Sequence, residues 1–338
     1  MTWTKYENNP VINNPGIKDF RDPKVIWVEE YNKWIMVLAV KDHVSFYSSP
    51  NLREWKFESD FGIDVGAHGG VWECPDLFKM KVNNTEIEKW VLLVSINPGG
   101  PNGGSATQYF VGEFDGNEFN NESEGTQWLD YGKDNYAGVT WSDVPKDDGR
   151  NLFIGWMSNW QYATVVPTST WRSAMTLPRE LILNSDNEAY KIHSRPVSEL
   201  KKIIGQPQIV KEEIRQVEDS TYLLEFSNLE YGDFSISFTN DLDEKLEVQM
   251  LDGKLSVDRS SSGITGFSSD FASVHSSEIK VNEVAKIQVY MDVSSVEIFV
   301  NNGEVVMTEL VFPRKMYNKI HNTGNVTYNF YPISSIWR

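Results

Sequence analysis

The feature that most constrains the fold of this chain is its division into short apolar runs that end at turn-forming residues. Nearly every run is rich in Val, Ile, Tyr, Phe and Trp, and Gly, Pro, Asn or Asp bound it on both sides. Runs of this kind are typical of β-strands joined by tight turns. The sequence therefore predicts an all-β protein.

Two stretches repeat the same order of four predicted strands. The first begins at Asp22 and the second at Cys74, and in both the second strand opens with Lys-Trp. A unit of four antiparallel strands has the size of one β-propeller blade. Residues 150–181 resemble parts of further blades.

A charged segment over residues 194–213 separates this region from a second one, and one helical turn is predicted over Val197 to Ile203. Beyond it, alternating strands are joined by hairpin signals at Asp252-Gly253 and Asn302-Gly303. Short strands at regular spacing predict a β-sandwich. We therefore predict a propeller domain over residues 1–195, a linker over 196–208 and a β-sandwich domain over 209–338.

The charge balance limits the choice of partners. A net charge of -17 repels phosphate backbones and anionic membrane surfaces, so neither nucleic acid nor a membrane is expected as a partner. The single cysteine, Cys74, excludes an internal disulfide. The first residues lack the pattern of a signal peptide, and no run reaches the length of a membrane span, so localisation stays open.

Two acidic residues stand out by their context. Asp22 lies between Arg21 and Pro23, and Glu73 follows a Gly pair and Trp72; each is predicted to begin the first strand of its repeat. The innermost strands of a propeller line the central channel, so acids at equivalent ends of neighbouring blades would converge. Two convergent carboxylates are the groups that glycoside hydrolysis requires. A purely structural role, such as capping a turn, stays open for both.

Other chemistries find little support. The sequence has no G-x-S-x-G, H-E-x-x-H or Walker motif, and no G-x-G-x-x-G that opens a helix. The five histidines are scattered without the spacing of metal ligands. We therefore predict neither a metal site nor a cofactor.

Several longer motifs resemble one known family. They are FRDP at Asp22, WECPDLF at Glu73, DYGKDNYAGVTW, GWMSNWQYA, VPTSTWRSAMTLPREL and, late in the chain, DVSSVEIFVNNGE. Together and in this order they resemble the invertase, levanase and exo-inulinase family, glycoside hydrolase family 32, and are most similar to bacterial exo-levanases. The resemblance covers essentially the whole chain. It implies a five-bladed β-propeller that carries the active site, followed by a C-terminal β-sandwich.

The resemblance also implies roles for particular residues. Glu73 would be the general acid/base, and Asp22 would stabilise the transition state by binding fructosyl hydroxyls. Arg21 and Cys74 would bind substrate or tune the carboxylates, and Tyr136 and Trp141 would form pocket walls. The implied activity is release of terminal fructose from levan, inulin or sucrose with retention of configuration, without a cofactor.

The sequence departs from the family at the nucleophile. The family's nucleophilic aspartate lies in a Trp-Met-Asn-Asp-Pro-Asn-Gly type motif upstream of Arg-Asp-Pro, and these 338 residues contain no such motif. The resemblance therefore implies a propeller that is incomplete at its N-terminus, lacking the first blade or more. We expect this chain alone to be inactive, and its uncovered sheet edges favour self-association. A catalytically dead fructan-binding or interaction module and a fructosyltransferase stay open as alternatives.

Overall fold

The computed structural model describes residues 2–186, 189–229, 234–279, 284–323 and 326–336. These residues form five antiparallel sheets, in agreement with the predicted all-β class. Two short 3-10 helices interrupt the strands, at Glu29–Tyr31 and Ser198–Lys202. The second one confirms the helical turn predicted between the two regions. In the described ranges no helix is long and apolar enough to cross a membrane.

The first three sheets have the blade pattern, in which consecutive strands lie side by side. The first sheet contains β1 (Phe20–Val28), β2 (Lys33–Val40), β3 (His43–Ser49) and β4 (Lys56–Phe61). The second contains β5 (Val71–Lys81), β6 (Glu88–Asn97), β7 (Ala106–Phe114) and β8 (Phe119–Asn121), with β9 (Gln127–Trp128) added on β7. The third contains β10 (Tyr136–Thr140), β11 (Asn151–Met157), β13 (Arg179–Asp186) and β14 (Ala189–Pro196), with β12 (Ala174–Met175) added on β11.

The remaining strands form two six-stranded sheets packed face to face, as predicted for the second region. One sheet has the order β15 (Gln208–Val210), β26 (Tyr328–Pro332), β17 (Tyr222–Leu229), β22 (Val284–Asp292), β23 (Ser295–Val300) and β24 (Val305–Leu310). The other has the order β16 (Ile214–Gln216), β25 (Lys319–Thr323), β18 (Phe234–Thr239), β19 (Lys245–Leu251), β20 (Lys254–Ser261) and β21 (Val274–Glu278). Hairpins lie at both predicted turns, and Asp252 and Gly253 both have the positive φ of a tight two-residue turn.

Apolar faces hold the sheets together. The second blade packs one face against the first blade, around Trp72 and Phe110, and its other face against the third, around Leu93 and Phe153. A separate core fills the sandwich, built around residues such as Leu224, Ile298 and Phe330. The predicted boundaries at residues 195 and 208 remain a prediction, although β14 ends at Pro196 and the first sandwich strand begins at Gln208.

The same irregularity occurs in the innermost strand of each blade. Near the start of β1, β5 and β10, two residues lie opposite one residue of the neighbouring strand, which is a β-bulge. The first bulge residue has a positive φ in every case: 57° at Asp22, 47° at Cys74 and 51° at Ala137. Such a backbone is uncommon for residues with a side chain, and it is concentrated at functional sites. The side chains of the residues just before the bulges, Arg21, Glu73 and Tyr136, contact one another.

Candidate active site

The three bulges bring Arg21, Glu73 and Tyr136 to equivalent positions on neighbouring strands, where their side chains meet. Arg21 donates from Nη2 and Nε to Oε1 of Glu73, at 2.8 and 3.1 Å. The Tyr136 hydroxyl donates to Oε2 of the same carboxylate. Glu73 is therefore held from both sides, by a cation and by a neutral donor.

Asp22 lies beside this group and is fixed by the next residue of the second blade. Its Oδ2 accepts a hydrogen bond from the Cys74 backbone N–H at 3.1 Å and lies 3.8 Å from the Cys74 thiol. No hydrogen bond engages Oδ1 of Asp22 within the described ranges. That oxygen is free to accept a hydrogen bond from a hydroxyl group of a ligand.

The structure corrects the predicted equivalence of the two acids. The sequence placed Asp22 and Glu73 at corresponding positions, each at the start of a first strand. The registers instead align Arg21 with Glu73, and Asp22 with Cys74. Both strands also begin before their acid and continue through the bulge. The second bulge residue is a proline, Pro23 or Pro75, and a proline is tolerated there because that position needs no N–H for the ladder of hydrogen bonds.

Trp141 was predicted to line the same pocket, but it lies elsewhere. It follows the last residue of β10, five positions beyond Tyr136, and its backbone N–H bonds to Leu152. At about 3.3 Å per residue, this separation is roughly 15 Å along the strand. The other five predicted residues, Arg21, Asp22, Glu73, Cys74 and Tyr136, come together; Trp141 does not.

The site also contains residues that the sequence reading missed. Asp19 lies just before β1 and accepts a bond from Arg21 Nη1 at 2.6 Å; its only signal in the sequence was its position two residues before Arg21. Trp156 packs edge-on against Tyr136, with ring centroids 6.2 Å apart, and Trp160 lies 5.1 Å from Trp156. Trp160 is 51% exposed, so its aromatic ring is accessible to a ligand. Nothing in the sequence distinguishes these two tryptophans from core residues.

Burial and charge set the protonation of the site. Burial, and then the hydrogen bond to Glu73, raise the pKa of Tyr136, so its hydroxyl stays protonated and donates at neutral pH. Hydrogen bonds to Asp19 and Glu73 raise the pKa of Arg21 and keep its charge. Burial, followed by the charges of Asp22 and Glu73, raises the pKa of Cys74 to about 12. The cysteine is therefore a neutral thiol in the site.

We expect the Cys74 thiol to react slowly with iodoacetamide at pH 8. A thiol with a pKa of about 12 is about one part in 10⁴ thiolate at that pH, against about a quarter for an ordinary cysteine. The rate should be about 10³-fold below that of free cysteine and should rise with pH. Asp22→Asn removes one of the charges that raise the pKa and should accelerate the reaction. A wild-type rate equal to that of free cysteine would contradict this electrostatic description.

The chemistry of the side chains limits the kind of ligand that the site can bind. Among the described residues, no three His, Cys, Asp or Glu side chains are grouped so that they could hold a metal ion. The site instead offers carboxylates, hydrogen-bond donors and an aromatic face. These groups suit a neutral polyhydroxylated ligand such as a sugar.

The chain was compared with protein-family models and with curated proteins. The glycosyl hydrolases family 32 N-terminal domain matches residues 1–196, and the family 32 C-terminal domain matches residues 193–334. A levanase from Bacillus subtilis is 42% identical over 363 positions, which cover 99% of this chain and 54% of the levanase. An extracellular exo-inulinase from Aspergillus awamori is 34% identical over 379 positions, which cover all of this chain and 70% of the relative.

Solved structures agree with these relatives. The crystal structure of exo-inulinase from Aspergillus awamori superposes with a TM-score of 0.87 at 32% identity, covering 97% of this chain and 71% of that one. Fructofuranosidase from Schwanniomyces occidentalis complexed with fructose gives a TM-score of 0.83 at 28% identity, covering 98% and 74%. The chain spans about half the length of the Bacillus subtilis levanase.

These solved relatives have a five-bladed β-propeller followed by a β-sandwich. The described residues supply three blades and the sandwich. Both domain models match in order along nearly the whole chain, and the motifs that carried the resemblance lie in the matched regions. The protein belongs to glycoside hydrolase family 32.

Proposed function

We propose that this chain carries the acid/base half of a retaining glycoside hydrolase site that releases terminal β-D-fructofuranosyl residues from fructans or sucrose. The observation that carries the proposal is Glu73, held between the Arg21 guanidinium and the Tyr136 hydroxyl, next to Asp22. The names of the levanase and exo-inulinase relatives support fructans as the substrate class.

In this proposal each residue has a separate task. The Glu73 carboxyl gives its proton to the glycosidic oxygen, which keeps the electron pair of the breaking C–O bond and leaves as an alcohol. Asp22 accepts a hydrogen bond from a fructosyl hydroxyl through Oδ1. A carboxylate nucleophile must then bond to the anomeric carbon, and water later cleaves this ester with Glu73 acting as the base. Arg21 and Tyr136 hold the Glu73 carboxylate in place through these steps.

The nucleophile is the missing part of the proposal. The 338 residues contain no Trp-Met-Asn-Asp-Pro-Asn-Gly type motif. The third acid of the site, Asp19, is paired with Arg21 at 2.6 Å. We propose that this polypeptide alone binds fructosyl groups without cleaving them. Binding without turnover is therefore the second candidate function.

Fructose release tests the proposal. We expect no release from levan, inulin or sucrose by the folded 338-residue polypeptide. We expect release when the upstream blades of a family member, with their aspartate motif, are fused to it. Glu73→Gln in the fused protein should lower the rate by about 10²–10⁴-fold, the usual contribution of a general acid/base. If the folded fused protein releases no fructose, the assignment is wrong; product analysis at high sucrose separates hydrolysis from fructosyl transfer.

We also propose that the 338-residue polypeptide self-associates through the free face of its first blade. Trp27 and Phe57 are 39% and 48% exposed there, and Trp27 stacks edge-on against Trp34. An apolar sheet face without a covering layer favours association with a second copy. Light scattering after gel filtration should show dimers whose fraction rises with concentration, and Trp27→Lys with Phe57→Lys should give monomers. A wild-type polypeptide that stays monomeric at high concentration would refute this proposal.

A further inference from the structure

The segment that leads into Tyr136 is bound by the sandwich domain as well as by its own blade. Residues 130–135 run along β24, the edge strand of one sandwich sheet. Tyr131 donates its backbone N–H to Val306 at 2.7 Å, and Asp134 donates to Thr308 at 3.0 Å. This segment therefore continues the sandwich sheet before the chain enters the third blade at Tyr136.

Two aspartates of the segment are bound through their side chains as well. Asp130 accepts hydrogen bonds from the Thr308 backbone N–H at 3.0 Å and from the Thr308 hydroxyl at 2.6 Å. Asp134 accepts a bond from the Leu310 backbone N–H at 2.8 Å. Both side chains are almost completely buried, so water cannot replace these partners.

Each aspartate also pairs with a fully buried arginine. Arg179 of the third blade lies 2.8 Å from Asp130, and its other Nη atom lies 2.7 Å from Glu297 of β23. Arg259 of β20 lies 2.6 Å from Asp134. Charge-assisted bonds between buried groups have narrow geometric limits, so they fix the segment closely.

The contact between the segment and β24 leaves no room for adjustment. A Cβ atom added at Gly132 would lie 2.1 Å from the backbone nitrogen of Thr308 and 2.3 Å from its oxygen. Only glycine allows this approach. The position of the backbone four residues before Tyr136 is therefore set by the sandwich.

We infer that the β-sandwich positions Tyr136 against Glu73, with Asp130, Asp134 and Thr308 as the positioning residues. This inference rests on the proposed role of Glu73. The C-terminal domain thereby helps to set the contact between the Tyr136 hydroxyl and the Glu73 carboxylate, although both residues belong to the blades. All three side chains are buried.

Thr308 provides a matched pair of variants. Thr308→Val keeps the shape of the side chain but removes the hydroxyl shared by Asp130 and Arg179, whereas Thr308→Ser keeps the hydroxyl. Asp134→Asn weakens the second contact. Glu244→Gln is the control, because Glu244 is a buried carboxylate within the sandwich that pairs with Arg314, away from the segment.

The readout is the reaction rate of the Cys74 thiol with a disulfide reagent in native buffer. Cys74 is the only cysteine, it follows Glu73, and it lies close enough to Tyr136 to contribute to the raised pKa of that hydroxyl. Displacing Tyr136 should change the access of the reagent to the thiol, and Tyr136→Ala gives the rate of the thiol without the tyrosine ring. Rates are compared well below each variant's thermal midpoint.

We expect Thr308→Val and Asp134→Asn to react at least about fivefold faster than wild type, the equivalent of about one hydrogen bond. Thr308→Ser and Glu244→Gln should react at the wild-type rate, even where Glu244→Gln lowers the thermal midpoint. Unchanged rates in Thr308→Val and Asp134→Asn would overturn the inference, and so would a wild-type rate in Tyr136→Ala. The thiol readout needs no substrate, so failure of fructan binding or hydrolysis would refute the proposed function and not this inference.

Discussion

Replacing Arg179 with methionine is expected to lower the free energy of unfolding by about 3–5 kcal/mol. Arg179 is fully buried and pairs with both Asp130 and Glu297, which are themselves almost completely buried. Methionine has a similar volume, but it leaves two carboxylates buried without their cation. Urea unfolding followed by circular dichroism measures the loss.

The effect of Arg179→Met should depend on pH. Burial raises the pKa of Glu297 above its usual range, and Arg179 opposes this shift. When the pKa of a carboxyl is higher in the folded than in the unfolded state, its protonation stabilises the folded protein. This stabilisation is complete at a pH below the unfolded pKa and is lost as the pH rises through the folded pKa. Without Arg179, the pKa of Glu297 in the folded state should be higher still, so more stability is lost between low and high pH. The variant should therefore be less destabilised, relative to wild type, at pH 5 than at pH 8.

Arg150→Met is the control for this prediction. Arg150 also pairs with two carboxylates, Asp148 and Glu199, but these pairs lie at the surface. Surface ion pairs contribute little, so this variant should remain close to wild type. An Arg179→Met protein as stable as wild type would show that the buried network makes no net contribution to stability.

Replacing Trp72 with alanine should lower the free energy of unfolding by about 3–5 kcal/mol, through lost burial and the cavity that remains. Trp72 is fully buried between the first two blades, packs against Phe110 and donates its indole N–H to Ala67. It precedes Glu73, so the same change loosens the strand that carries the acid/base. Thermal unfolding measures the effect.

Two further variants make the Trp72 result specific. Trp72→Phe keeps an aromatic ring in the core and should lose less stability than alanine. Trp160→Ala removes a tryptophan that is half exposed at the site, and its effect on stability should be small. A loss at Trp160 as large as that at Trp72 would contradict the division between a core and a site tryptophan.

Much of the fold could be predicted from the sequence, because strand periodicity and turn residues are local signals. Four strands from Asp22 onward and four from Cys74 onward are present as two sheets, and the Asp252-Gly253 turn joins two strands. The convergence of Asp22 and Glu73 was also predictable, because innermost strands of neighbouring blades share one channel.

The rest depends on geometry that a sequence pattern does not encode. The bulges shift the register, so Arg21 and not Asp22 corresponds to Glu73. Trp141 follows Tyr136 closely in sequence, yet the strand between them carries it away from the site. The sandwich partners of Asp130 and Asp134, Thr308 and Leu310, lie more than a hundred residues later in the chain, which no local motif could have indicated.

Calorimetric titration of the 338-residue polypeptide with a levan-derived oligosaccharide tests whether it contains a fructosyl-binding site. Asp22→Asn keeps an acceptor for the Cys74 N–H but removes the charge offered to the ligand. We expect binding by wild type and by Trp141→Ala, and loss of binding in Asp22→Asn. Binding that survives Asp22→Asn, or no binding by the folded wild-type polypeptide, would contradict the claim that Arg21, Asp22, Glu73 and Tyr136 form a fructosyl site.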